Sequence, residues 1–154
     1  MSSRTPPPNQ APHLGALVRL AAQYMNERLT RWIAASGFEG VQPAHSAAIQ
    51  PLWNQPAGAR VTTLARASRI TKQSMSALVS DLEAAGYVER IADPDDARAS
   101  RVRLTAHGRA YGRAVRAFSR GVEADWARRI GAQRIDEFRA TLEELRTRVF
   151  LADD

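Results

Sequence analysis

The 154-residue chain contains no cysteine, which excludes disulfides, thiolate zinc sites, thiol nucleophiles and thiol-based redox sensing. Long apolar runs are missing as well. Arginine or another polar residue interrupts every apolar stretch well short of the roughly 18 residues that a membrane span needs. Residues 1–12 are polar and proline-rich and lack the apolar core of a secretory signal, so a cytoplasmic protein without membrane association is expected. The three histidines, His13, His45 and His107, are too scattered for a metal site, and no HExxH or comparable spacing occurs. The nine glycines are dispersed, so no glycine-rich phosphate loop is present. Asp95-Asp96 and Glu143-Glu144 read as a turn and a solvated helix face. No constellation supports enzyme chemistry, and no cofactor or metal is expected.

Lysine is nearly absent. Lys72 is the single lysine beside 21 arginines, and the formal net charge is +6. Residues 1–58 carry +2, residues 59–116 carry +5 and residues 117–154 carry −1. Such a concentration in the middle third is what a localised polyanion-binding surface would show. Arginine favoured by a GC-rich genome gives the same composition, so charge alone leaves both readings open. At 44% hydrophobic and 25% charged, with both signs interspersed, the bulk of the chain is expected to fold.

Leu14, Leu17, Val18, Ala21, Met25, Leu29, Trp32 and Ile33 recur at three- and four-residue steps, predicting a helix over 14–36 that Gly37 and Gly40 end. Pro43 suits a first helical position, and a helix through Ile49, Leu52 and Trp53 follows. Pro51 inside it removes a backbone donor and predicts a kink or early stop. Pro56-Ala57-Gly58 reads as a turn. Thr62 is expected to cap a short helix through Leu64, Ala65 and Ala67, with Ser68 and Arg69 as the turn. Thr71 then caps a helix from Lys72 to about Ala85, with Met75, Leu78, Val79 and Leu82 buried and Gly86 as a left-handed terminator. Lys72, Gln73, Ser76 and marginally Ser80 form its opposite face.

After Gly86 the period changes to two. Tyr87–Ala92 and Arg101–Leu104 are predicted strands, with Val102 and Leu104 inward and Arg101 and Arg103 outward. The intervening residues 93–100 read as a projecting loop. Thr105 is expected to cap a helix from about Ala106 to Ile130, whose apolar positions include Tyr111, Val115, Phe118, Val122 and Trp126. A last helix, about Gln133 to Leu151, carries Ile135, Phe138, Leu142, Leu145 and Val149 as a coiled-coil-like seam. Two short helices followed by a basic-tipped hairpin predict a winged helix-turn-helix. The fold class is therefore mainly α with a small β-wing. The expected organisation is a polar tail over 1–12, a helix over 13–36, a winged helix-turn-helix over 42–105 and C-terminal helices over 106–151.

The stretch Leu64-Ala65, Leu82-Glu83-Ala84-Ala85-Gly86-Tyr87-Val88-Glu89-Arg90, Asp93-Pro94-Asp95-Asp96-Ala97-Arg98 and Val102-Arg103-Leu104-Thr105 with Gly108 resembles the winged-helix signature of MarR-type bacterial transcriptional regulators. The resemblance covers roughly residues 61–109, and Asp-x-Arg in the wing is its most telling part. It implies an intertwined homodimer on a pseudo-palindromic duplex, with the helix over 13–36 and the C-terminal helices over 106–151 serving dimerisation, a recognition helix in the major groove and a wing in the minor groove. It also implies release by a small, often aromatic, anion. Carried onto this chain, the recognition-helix residues are Thr71, Lys72, Gln73, Ser74 and Ser76. Gln73 suits an adenine edge, Lys72 either guanine or phosphate, and the three hydroxyls phosphate or water-mediated contacts. Arg98 corresponds to the minor-groove arginine, Asp96 to the acid that holds it, and Ser100 and Arg101 to adjacent backbone contacts.

Two departures from the family pattern stand out. Ala77 and Asp81 occupy positions where relatives often carry basic residues, and Pro51 interrupts a helix that is usually continuous. Met25, Arg28, Trp32, His45 and Trp53 are the candidates for an aromatic-lined effector cleft with one cation. The expectation is a dimeric, sequence-specific DNA-binding repressor relieved by a small effector. A winged-helix interaction adaptor and a nonspecific architectural DNA-binding protein are the alternatives.

Overall fold

A computed structural model describes residues 12–150; the tail expected over 1–12 lies outside these except for Pro12, as does Leu151. The chain divides into two compact units, Met1–Gly108 and Arg109–Asp154, so the first helix groups with the winged elements rather than standing apart from them.

Helix α1 spans Leu14–Ser36 and ends where Gly37 turns left-handed at φ 77°. A 3₁₀ turn, Pro43–His45, leads into α2, Ser46–Leu52. Pro51 stops α2 within one residue, as its missing donor requires. The helical partner of that lost N–H would be the Ala47 carbonyl, four residues back. Instead the Ser68 hydroxyl donates to the Ala47 carbonyl across 2.5 Å. The departure at Pro51 is thus compensated from the turn after the next helix.

Helix α3 spans Val61–Ala67 and α4 spans Lys72–Ala84. Thr62 does not cap α3: its N-cap is Arg60, whose side chain makes no capping bond. Thr71 does cap α4, its hydroxyl accepting from the Ser74 amide at 3.1 Å. Met75, Val79 and Leu82 are buried on α4, whereas Leu78 and Ser76 are only half-buried and Ala77 is exposed. Gly86 closes the helix at φ 77°.

Strand β1 is Val88–Asp93 and β2 is Asp96–Leu104, antiparallel, with Val88 opposite Leu104 and Ala92 opposite Ser100. The expected loop over 93–100 is therefore mostly strand. Asp93 and Asp96 face each other across a two-residue turn, and the register shifts between Ala92 and Asp93, leaving Ala97, Arg98 and Ala99 as the bulged side. Ala59 adds a bridge to Val102 through reciprocal bonds of 2.9 and 2.8 Å. That approach needs Gly58, because a Cβ there would come within 2.7 Å of the Val102 carbonyl. The core of this unit is Ile49, Leu52, Leu64, Met75, Val79, Leu82, Tyr87, Val88, Val102 and Leu104.

Helix α5 spans Ala106–Ile130. Thr105 caps it: its hydroxyl donates to the Gly86 carbonyl at 2.7 Å and accepts from the Gly108 amide at 3.0 Å. Helix α6 spans Ala132–Leu145 and passes into a wider π turn over Arg146–Phe150, earlier than the expected end. Of the predicted seam only Ile135 is buried. Phe138, Leu142 and Val149 are 45%, 39% and 46% exposed. With Glu123, Trp126, Arg139, Glu143 and Arg146, three of these side chains (Ile135, Phe138 and Leu142) line a largely apolar groove of about 430 Å³ within the second unit.

Candidate nucleic-acid interface

The first turn of α4 presents Thr71, Lys72, Gln73 and Ser74 to solvent. The Thr71 and Ser74 hydroxyls lie 2.8 Å apart and are engaged with the cap, so they position the turn. Neither the Lys72 ammonium nor the Gln73 amide has a side-chain partner among the described residues. No acid occupies this first turn, so the helix N-terminus and Lys72 together favour an anion. Ser76, expected on the same face, is half-buried and its carbonyl accepts from the Ser80 hydroxyl at 3.0 Å.

Asp81 turns out to have a local role. Its carboxylate lies 3.7 Å from Nε2 of His45, which is buried. Nδ1 of the same imidazole accepts the Gln42 amide at 2.9 Å. The acid that departs from the family pattern thus faces a residue that anchors the 3₁₀ turn.

The wing is organised by a carboxylate that sequence reasoning missed. Asp93 is buried, and its Oδ2 accepts from Arg60 Nε at 2.5 Å. Its Oδ1 lies 3.1 Å from Arg101 Nε and accepts the Asp95 amide at 3.0 Å. Arg101 also donates to Asp95 at 2.6 Å. The hydrogen bond from Arg60 is the main cause holding the Asp93 carboxyl down to about 2, against the desolvation that burial imposes. Arg60 is correspondingly raised, chiefly by the same hydrogen bond.

This arrangement corrects two expectations. Arg101 does not project outward: it is half-buried and committed to Asp93 and Asp95. Asp96 holds Arg98 through its backbone amide, at 3.0 Å, rather than through the guanidinium. Arg90 pairs with Glu83 at 3.1 Å and Arg103 with Glu89 at 2.7 Å. Among the described residues, Arg98 is the one wing arginine without a carboxylate partner, and it stands exposed on the bulge. Ser100 is half-buried beside it, opposite Ala92.

The effector candidates have structural employment. His45 is enclosed as described. Arg28 donates to the Tyr24 hydroxyl at 3.4 Å and lies 5.9 Å from that ring's centre. Trp32 packs on Phe38, with ring centres 6.3 Å apart. Met25, Arg28 and Trp32 share one side of α1 and are half-buried, as is Trp53.

Residues 39–99 match the family model described as MarR family. The chain is 32% identical over 117 residues to the transcriptional repressor Rv2887 of Mycobacterium tuberculosis, covering 68% of this chain and 84% of that one. The solved structure of that relative, a MarR family protein in complex with salicylic acid, is 27% identical with a TM-score of 0.67, covering 89% and 98% of the two chains. A probable transcriptional regulator from Pseudomonas aeruginosa is 26% identical with a TM-score of 0.69, over 86% and 96%. FabT of Streptococcus pneumoniae, solved in complex with DNA, shares the fold at 18% identity and a TM-score of 0.74, over 91% and 96%.

Proposed function

The chain belongs to the MarR family of transcription regulators, and on that premise we propose that it is a dimeric, sequence-specific repressor that a small organic anion releases from DNA. One observation carries the DNA-reading part: the wing ties down Arg90, Arg101 and Arg103 with carboxylates and leaves Arg98 exposed and uncommitted. An arginine whose backbone N–H is fixed on a bulge by the Asp96 carboxylate, with its guanidinium left exposed, suits a narrow minor groove, where negative potential is concentrated. Lys72 and Gln73 at the positive end of α4 suit phosphate and a base edge in the major groove. Thr71 and Ser74 shape that turn, Ser76 and Ser100 flank the contacts, and Arg101 and Asp96 set the wing's form.

The dimer reading rests on the apolar side chains left outside the folded subunit: Leu14, Leu17, Val18 and Leu20 on α1, and Phe138, Leu142 and Val149 in the second unit. An exposed apolar surface of this extent marks an association site. The effector reading rests on Arg28 beside Met25 and Trp32, with Trp53 and His45 in the same unit, and on the relative solved with salicylic acid.

Fluorescence anisotropy on the duplex upstream of the protein's own gene, against scrambled duplex, tests the DNA reading. The wild type should prefer the upstream duplex. Gln73→Ala should reduce that preference, and Arg98→Ala should weaken binding, each by about 1–3 kcal/mol if the side chain meets a base edge. Salicylate added to the complex should release the DNA. Equal binding to both duplexes, indifferent to Gln73→Ala, would replace the repressor with an architectural protein.

A further inference from the structure

Between Asp96 and Glu123 the chain carries no acidic residue and seven arginines. Three of these, Arg98, Arg101 and Arg103, belong to the wing. The other four, Arg109, Arg113, Arg116 and Arg120, lie on α5 at steps of four, three and four and are all exposed. At about 100° per residue these positions fall within an arc of roughly 60°, so they form one straight ridge about 16 Å long. No described residue pairs with Arg113 or Arg120. Ala117 and Gly121, both exposed, flank the ridge with minimal side chains.

Such a ridge runs against two local rules. Like charges three and four residues apart on a helix repel. Arginine near a helix N-terminus opposes the macrodipole, and α5 has no acid in its first turn to offset it. Arg113 and Arg120, kept exposed and unpaired on this ridge with no acid between them in the chain, point to a partner that supplies negative charge. We propose that the α5 ridge binds the phosphate backbone of duplex DNA, as a second, sequence-independent contact beyond the recognition helix and wing. Arginine suits this task because its planar fork meets phosphate oxygens bidentately. The inference rests on the DNA-binding reading above and adds a surface to it. Phosphate contacts carry affinity and salt dependence but no sequence information, which separates this ridge from Gln73 and Arg98.

The test compares wild type with Arg113→Gln/Arg120→Gln, a pair that removes the charge while keeping a polar, unbranched side chain of similar helix propensity. Affinities are measured on the upstream duplex and on scrambled duplex between 50 and 200 mM salt. Each phosphate that is no longer neutralised lowers the slope of log affinity against log salt by about 0.9, so freeing two phosphates per subunit, four per dimer, shrinks the salt effect over this range roughly a hundredfold. The expected result is that flattening on both duplexes, with the preference between them unchanged and the thermal midpoint equal to or above wild type. Slopes identical to wild type on both duplexes would overturn the ridge as a DNA-binding surface, even if sequence preference persists. Flattened slopes without any wild-type preference would keep the ridge and remove the repressor reading instead. Binding of an acidic protein to the ridge would leave the DNA slopes unmoved, and so counts against the proposal.

Discussion

The winged elements of this chain and its second unit treat their apolar residues in opposite ways. In residues 12–108 the side chains of α2, α3, α4 and the hairpin close on one another, and Leu52, Leu64, Met75, Val79, Leu82 and Val102 are almost wholly withdrawn from water. In the second unit Tyr111, Val122 and Ile135 are buried, while Phe138, Leu142 and Val149 remain open to solvent. Elements that close on one another in this way need no further cover, although α1 of the same unit leaves Leu14, Leu17, Val18 and Leu20 exposed. If a second copy covers the groove lined by Trp126, Phe138 and Leu142, the stability of the second unit is tied to concentration.

The largest effect is expected from Phe138→Glu/Leu142→Glu. If these side chains pack against a second copy, carboxylates placed there should halve the sedimenting mass at micromolar concentration and abolish the concentration dependence of unfolding. An unchanged mass would show that the face meets solvent, and the contrast between the units would collapse. Next comes Leu82→Ala in the closed core of the winged elements, expected to cost about 2–5 kcal/mol in chemical denaturation because α4 cannot close over the cavity. Ser68→Ala should cost about 1 kcal/mol, since it strips the Ala47 carbonyl of its donor. The smallest effect is in acid. Asp93 sits below its ordinary value, at about 2, so its contribution is present above pH 4 and is lost as pH falls from about 4 toward 2. Removing its main partner with Arg60→Met should move the acid transition, followed by circular dichroism, to higher pH. An unmoved transition would mean that the wing's network adds nothing to the fold.

Features encoded within a few residues were legible in the sequence. The Thr71 and Thr105 caps, the left-handed Gly37 and Gly86, the early stop at Pro51 and the inward Val102 and Leu104 all stand in the structure as the residues imply. What escaped depends on distant partners. Arg60 and Asp93 are 33 residues apart, and nothing local marks either as half of a buried pair. The same holds for the Ala59–Val102 bridge and for His45 facing Asp81. Turn-forming aspartates suggested a loose loop over 93–100, whereas the carboxylate of Asp93 gathers two arginines and an amide and draws the hairpin together. At the candidate site, the exposure of Lys72 and Gln73 was legible from their own helix turn, whereas Arg98 was named from the resemblance and not from the bulge that carries it. Arg101 was misjudged because alternation along a strand says which way a side chain starts, not what it meets.

The hydroxyl of Ser68 on the Ala47 carbonyl carries a historical implication. Proline at position 51 leaves that carbonyl to another donor, so a donor at 68 is expected to be the permissive change and proline the dependent one. In descent, the two positions should not drift independently. Lineages with an ordinary amide at 51 should be free to vary at 68, and lineages with proline at 51 should not. Pro51→Ala should likewise erase most of the cost of Ser68→Ala, turning an inferred order of substitutions into a measurable epistasis.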